Sequence, residues 1–155
     1  MEISFQYPED RTFFEELLIG ERIDLTITDF YHLFDFRSPS EKRNEYNRIR
    51  KDRFAELKQH NGLVCLLGLD CCDPDSGFVI DHLIPISTNK LNKQLRLQQA
   101  ERGKKVKTQS FGSNHIDNMI IACRKCNGRK MNGFLAREKL WAIFRMKENI
   151  KLPEI

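Results

Sequence analysis

The order of apolar and polar positions divides the chain into segments of different texture. Phe13, Phe14, Leu17 and Leu18 give a first helix one apolar face. Its start is expected at Thr12-Phe13-Phe14-Glu15, a capping box in which the Thr oxygen and the Glu carboxylate satisfy free backbone N–H groups. Gly20 follows as its stop. Phe30, Tyr31, Leu33, Phe34 and Phe36 predict a short helix over 28–36 that packs on the core. Ser38-Pro39-Ser40-Glu41 places Ser at N-cap, Pro at N1 and Glu at N3, and so predicts a long charged helix running to about His60 and ending at Asn61-Gly62. Its Arg43, Arg48, Arg50, Lys51 and Arg53 could meet phosphate, but the interleaved Glu45, Asp52 and Glu56 suit an ordinary solvated helix equally.

From Leu63 the pattern shifts to short runs. Val64-Cys65-Leu66-Leu67-Gly68 and Phe78-Val79-Ile80-Asp81-His82 read as strand-like segments, separated by the turn sequence Asp73-Pro74-Asp75-Ser76-Gly77. Residues 88–110 lack a hydrophobic pattern sufficient for a core element and read as a basic loop, with a helical turn around 91–100. Asn118–Ala122 is expected to be a short strand, and a helix begins near Cys126. Phe134, Leu135, Leu140, Trp141, Phe144 and Met146 recur at helical spacing, which predicts a C-terminal helix whose aromatic stripe is core. The fold class expected is α+β.

Composition adds three constraints. The chain has 155 residues, 40% of them hydrophobic, enough for one compact domain with a real core and unlike a disordered chain. No apolar run approaches the ~20 residues needed to span a bilayer, and the first residues lack a basic-then-apolar leader, so a soluble, cytoplasmic protein with no membrane partner is expected. The net charge of +4 is unevenly spread: residues 90–130 hold 11 basic and 2 acidic side chains. Such a segment suits phosphate binding, and a solvated charged face is the plain alternative.

The candidate chemistry lies at the two ends of residues 78–130. Cleaving a phosphodiester requires a base that takes a proton from water and a cation that relieves charge on the leaving oxygen. Asp81 beside His82, just before Pro85, offers an acid and an imidazole. Adjacent strand residues point to opposite faces, so the two can share a site only at a strand end or bend. A histidine in an apolar strand also serves structurally. Asn127, at a helix start, could aim an amide oxygen at a hard cation, or act as a cap or turn residue. The five cysteines fall into Cys65, Cys71 and Cys72, then Cys123 and Cys126. Cys123-x-x-Cys126 is a zinc-knuckle spacing. Cys65 is the third ligand candidate, and Cys72 or Cys71 the fourth; free thiols are the alternative.

Taken in order, these residues resemble the HNH endonuclease family, also called ββα-metal or His-Me finger nucleases, in its variant with Asn at the last position. Asp81-His82-Leu83-Ile84-Pro85 resembles the first motif, Asp117-Asn118 before an apolar strand the central one, and Cys123-x-x-Cys126-Asn127-x-x-Lys130 the closing one. The resemblance covers roughly residues 62–133. It implies a small ββα-metal nuclease core there, carrying the basic insertion 88–110. The helical extension over 1–61, which the resemblance leaves unaccounted for, and the C-terminal helix over 134–155 flank that core on the pattern of the residues. It also implies roles: His82 as general base, Asn118 pinning the loop that orients it, and Asp81 and Asn127 binding one catalytic Mg²⁺ or Mn²⁺. Cys65, Cys72 (or Cys71), Cys123 and Cys126 would hold structural Zn²⁺.

The expected substrate is DNA, in duplex form, with Lys90, Lys93, Arg96, Arg102, Lys104, Lys105, Lys107, Arg129 and Lys130 as candidate contacts. A restriction, phage-defence or mobile-element nuclease is the expected setting. A homodimer is expected for cutting palindromes, or else a partner protein in a defence system. The alternatives are a non-catalytic zinc-stabilised nucleic-acid-binding module and an RNA-cleaving nuclease. His115, three residues before Asn118, carries no assigned role and is expected on the loop surface.

Overall fold

The computed structural model describes residues 4–87, 109–131 and 133–147. Lys90, Lys93, Arg96, Arg102, Lys104, Lys105 and Lys107, and the helical turn expected around 91–100, lie outside the described residues.

The first helix, α1, spans Pro8–Leu18 and begins a turn before the expected Thr12. Pro8 supplies the fixed φ that suits a first helical position, and the Thr12 hydroxyl donates back to the Pro8 carbonyl at 3.1 Å instead of capping. The helix ends as expected before Gly20, which adopts φ +60°. Glycine suits that left-handed conformation, and a Cβ there would also displace the Arg137 guanidinium, 2.0 Å away, that packs across it. Arg137 Nη2 donates to the Ile19 carbonyl at 2.8 Å, joining this end to the C-terminal helix.

The apolar stretch after α1 forms a 3₁₀ segment, Ile27–Leu33, with the Asp29 carboxylate accepting the Thr26 N–H at 2.8 Å. Helix α2 then spans Pro39–Asn61. The Ser38–Glu41 capping box is formed, and Gly62 at φ +75° ends the helix.

Leu63–Gly68 does not extend into a strand. It makes one ladder-like bond, Leu66 N–H to the Ile121 carbonyl at 3.0 Å, and bends at Gly68 with φ +52°. A short 3₁₀ turn, Pro74–Ser76, precedes strand β1, Phe78–His82. Another, Ile116–Asn118, precedes β2, Met119–Cys123. Helix α3, Arg124–Lys130, follows directly, and α4 spans Arg137–Met146. The architecture is mixed helix and strand. β1 and β2 form a two-stranded antiparallel sheet with Asp81 opposite Ile120 and His82 opposite Met119.

Strand alternation divides the interior into two layers. Ile80, Met119 and Ile121 face α2 and pack with Leu57. Ile120 and Ala122 face the larger core, shared by α1, the 3₁₀ segment and α4 through Phe14, Phe30, Leu33, Trp141 and Phe144, and Cys123 joins it at the strand end. The extension and the C-terminal helix thus share one core with the sheet. Phe14 is its hub, with edge-on contacts to Phe13, Phe34, Phe111 and Phe134 at centroid distances of 5.0 to 5.7 Å. Such pairs add roughly 0.5–1.5 kcal/mol each beyond area burial. Among the described residues no helix is long and apolar enough to cross a membrane.

Candidate functional site

Asp81 and His82 both lie at the end of β1, but their side chains face opposite sides of the strand. Asp81 lies on the face toward α3 and is only 4% exposed. Lys130, at the last position of α3, is itself buried, and its ammonium lies 3.1 Å from Asp81 Oδ2. The same nitrogen donates to the His82 carbonyl at 2.9 Å. Lys130 is therefore held against the strand end rather than presented on the surface where nucleic acid would meet it. Burial pushes the Asp81 carboxyl up to about 6, with the Lys130 charge pulling the other way. Asp81 Oδ2 is buried and forms no aligned hydrogen bond, its partner being the Lys130 ammonium in an ion pair. Asn127 is half-buried on α3, one turn before Lys130, on the same side of the helix. Arg129, on the same helix, is exposed.

His82 points the other way, toward α2, where its ring meets the Tyr46 ring at a centroid distance of 4.9 Å. Its Nε2 lies 2.9 Å from Asn114 Oδ1. The Asn114 amide orientation follows from its other partners: Nδ2 donates to the Lys42 carbonyl at 2.8 Å and to Glu45 Oε1 at 3.0 Å. Both are acceptors, so the amide nitrogen must face them and the oxygen must face the imidazole. Nε2 therefore carries the proton, and the unshared pair of a neutral His82 sits on Nδ1. Burial presses the His82 pKa down to about 4, so the ring is neutral at physiological pH.

Two devices hold the chain that leaves His82. The first is Asn118, fully buried: its Oδ1 accepts the Ile84 N–H at 2.8 Å, and its Nδ2 donates to the carbonyls of Ile84 and Ser113 at 2.9 and 2.8 Å. Every hydrogen-bonding direction but one oxygen lone pair is used, on the two segments that flank the sheet end. The second is Gly112, where an added Cβ would fall 1.9 Å from the Ile84 carbonyl oxygen, a backbone atom that cannot step aside. Lys42, wholly buried, donates to the carbonyls of Asp35 and Gly112 at 2.6 and 2.7 Å and so ties this turn to α2.

A second cluster lies at the other end of β2. The sulfurs of Cys65, Cys72, Cys123 and Cys126 come within 4.8 Å of one another, and the set could hold a metal such as zinc. Four thiolates at this separation match a closed tetrahedral structural site. The choice open between Cys71 and Cys72 falls to Cys72, since Cys71 Sγ turns to the Lys125 carbonyl at 3.8 Å. Cys123 caps α3, its sulfur accepting N–H groups of Asp73 and Cys126, both at 3.4 Å. Burial pushes the Cys123 thiol up, but these backbone donors and the neighbouring Cys126 and Cys65 thiols together pull it down to about 6.

Sequence reasoning did not single out Asn114, Lys42, Tyr46 or Gly112. Of these, Gly112 is the one whose residue type alone is a local signal, a glycine between Phe111 and Ser113 just after the basic segment. No protein-family model, curated protein or solved structure matches the chain.

Proposed function

We propose that the chain is a metal-dependent HNH-type endonuclease that hydrolyses phosphodiester bonds of DNA. The observation that supports this reading best is the end of β1: one ammonium holds both the Asp81 carboxylate and the His82 backbone, while a buried amide fixes the His82 tautomer.

In this reading His82 Nδ1 takes the proton from the attacking water. Asn114 keeps Nε2 protonated and steadies the ring as positive charge develops on it. Asn118 and Gly112 hold the chain beyond His82 so that the imidazole keeps its aim. Asp81 and Asn127 would hold a divalent cation, Mg²⁺ or Mn²⁺, which when bound supplies Lewis-acid stabilisation of the phosphate and leaving oxygen. The Asp81 carboxylate and the Asn127 amide on the adjacent helix are both hard oxygen donors, and a bound ion would take over the place at Asp81 that the Lys130 ammonium holds. Lys130 balances the Asp81 charge in the ion-free protein. The cysteine cluster, with Zn²⁺, would lock β2 to α3 and hold Asn127 and Lys130 at the correct end of the sheet.

Plasmid nicking in Mg²⁺ tests the reading. General bases contribute about 10²–10⁴-fold, so His82→Ala should lose at least about 100-fold. Equal nicking by wild type and variant would reject His82 as the base. Labelled duplex DNA, single-stranded DNA and RNA in parallel reactions define the substrate, and salt-sensitive binding without cleavage would reject the enzyme in favour of a binding module.

A further inference from the structure

On the far side of Asn114 is a second constellation that the proposed chemistry does not use. His32 comes from the 3₁₀ segment, His115 from the turn before β2, and Asp117 from the turn Ile116–Asn118. One ligand atom from each lies within 4.8 Å of the others. Asp117 Oδ2 lies between the rings, 3.1 Å from His32 Nε2 and 3.9 Å from His115 Nδ1. The carboxylate is 4% exposed and the His32 side chain 13%. His115 is the open member of the set, at 34%.

An ordinary carboxylate–imidazole pair does not account for this arrangement. His32 Nε2 is buried and makes no hydrogen bond, although a carboxylate oxygen lies 3.1 Å away; the ring is not aimed to donate to it. A buried nitrogen in that position loses its hydration and gains no hydrogen bond in return, a net cost to the fold. A cation drawing on the His32 lone pair and the Asp117 oxygen together would remove that cost. Donor atoms around a zinc ion with bonds of about 2.0–2.1 Å are separated by about 3.3 Å in a tetrahedron, so these atoms need only small shifts. The His115 Nδ1 now accepts the Asp117 N–H at 3.1 Å, a bond that the ion would replace.

The scaffold is already rigid. The Ser113 hydroxyl donates to the His32 carbonyl at 2.6 Å, the Ser113 N–H donates to the Leu33 carbonyl at 3.0 Å, and the His115 N–H reaches the Ser113 hydroxyl at 3.2 Å. His32 and His115 also line a cavity of about 750 Å³ between the 3₁₀ segment and α2, with Arg37, Arg53 and Asn114 elsewhere in its wall. Three protein ligands beside an open cavity is the format of an ion that keeps exchangeable positions, unlike the closed cysteine site.

We propose that His32, His115 and Asp117 bind a transition-metal cation of the Zn²⁺ class, with its remaining coordination positions facing the cavity. Two imidazoles and one carboxylate favour zinc and its neighbours over Mg²⁺ or Ca²⁺, which take oxygen sets. The proposal stands apart from the nuclease reading, since none of its ligands is Asp81, His82 or Asn127.

The test is a Zn²⁺ titration of the full chain, followed by calorimetry and by imidazole ¹H–¹⁵N spectra. Beyond the equivalent taken by the cysteines, a second should bind, shifting the ring nitrogens of His32 and His115 and leaving those of His60 and His82 in place. His32→Ala and His115→Ala should each weaken the second equivalent at least about tenfold, since even an outer-shell partner contributes about 10–100-fold. Their near-UV circular dichroism should match wild type. If either variant misfolds, the wild-type spectra decide alone. A single bound equivalent, shifts confined to other histidines, or the same shifts with Mg²⁺ alone would each overturn the site.

Discussion

Replacing Lys130 by Met removes the charge that faces Asp81 while keeping most of the volume. In the wild type, burial has raised the Asp81 pKa from 3.8 to about 6. A raised carboxyl contributes its full stability below the unfolded pKa and loses it as pH rises through the folded one. The wild type therefore loses on the order of 3 kcal/mol between pH 3.8 and 6, at 1.36 kcal/mol per unit, and little more above that. Without the ammonium, nothing opposes the desolvation of Asp81, and its pKa moves above 6. The loss then continues at up to about 1.36 kcal/mol per unit, so between pH 5 and pH 8 the variant should fall further below wild type, by at most roughly 3 kcal/mol. That figure is of the same order as, and at most reaches the lower edge of, the usual cost of about 3–5 kcal/mol for breaking a buried pair. Urea denaturation of wild type, Lys130→Met, Asp81→Asn and the double variant at pH 5 and pH 8, in Mg²⁺-free buffer, measures it. The double variant should lie nearer to Asp81→Asn than to Lys130→Met at pH 8. A Lys130→Met penalty that is the same at both pH values, or unchanged by Asp81→Asn, would refute the reasoning.

Other outcomes follow from the same geometry. Cys72→Ser should remove or greatly weaken the zinc equivalent, whereas Cys71→Ser should leave it intact, as read by metal content after dialysis. The acidic limb of the nicking rate should lie near Asp81's value of about 6, because His82, at about 4, is already neutral there. Raising Mg²⁺ should move that limb to lower pH as cation and proton compete for Asp81; a limb fixed near 6.5 at every Mg²⁺ concentration would point to an ordinary imidazole instead. Gly112→Ala should destabilise the fold by more than about 2 kcal/mol in thermal or urea melts, since the methyl group meets backbone oxygen at 1.9 Å.

Elements whose signals are local could be read from the chain. The start of α2 is such a case: Ser38, Pro39 and Glu41 make the helix start by themselves, and Gly62 ends it through its own backbone freedom. β1 and the aromatic C-terminal helix likewise follow from residue spacing. Where two local signals competed, the reading failed. Thr12 and Glu15 offer a capping box, but Pro8 starts the helix a turn earlier, and both residues then lie inside it. Val64–Gly68 has strand composition, yet it needs a partner edge along its length and finds one bond.

The sequence by itself determined which chemical groups are present and in what order: an acid and an imidazole at a strand end, a pair of asparagines, and cysteines at knuckle spacing. Only the tertiary structure decided which of them meet. The choice of Cys72 over Cys71 depends on how the turn before β1 sits against α3, and the His82 tautomer depends on an amide 32 residues away, oriented by α2. Lys130 reads as one more cation in a basic segment until the sheet and α3 bury it against Asp81. The physical reason is shared: a side chain's proton, charge and exposed lone pair are set by its neighbours in space, and chain order specifies those neighbours only within a helical turn or along a strand.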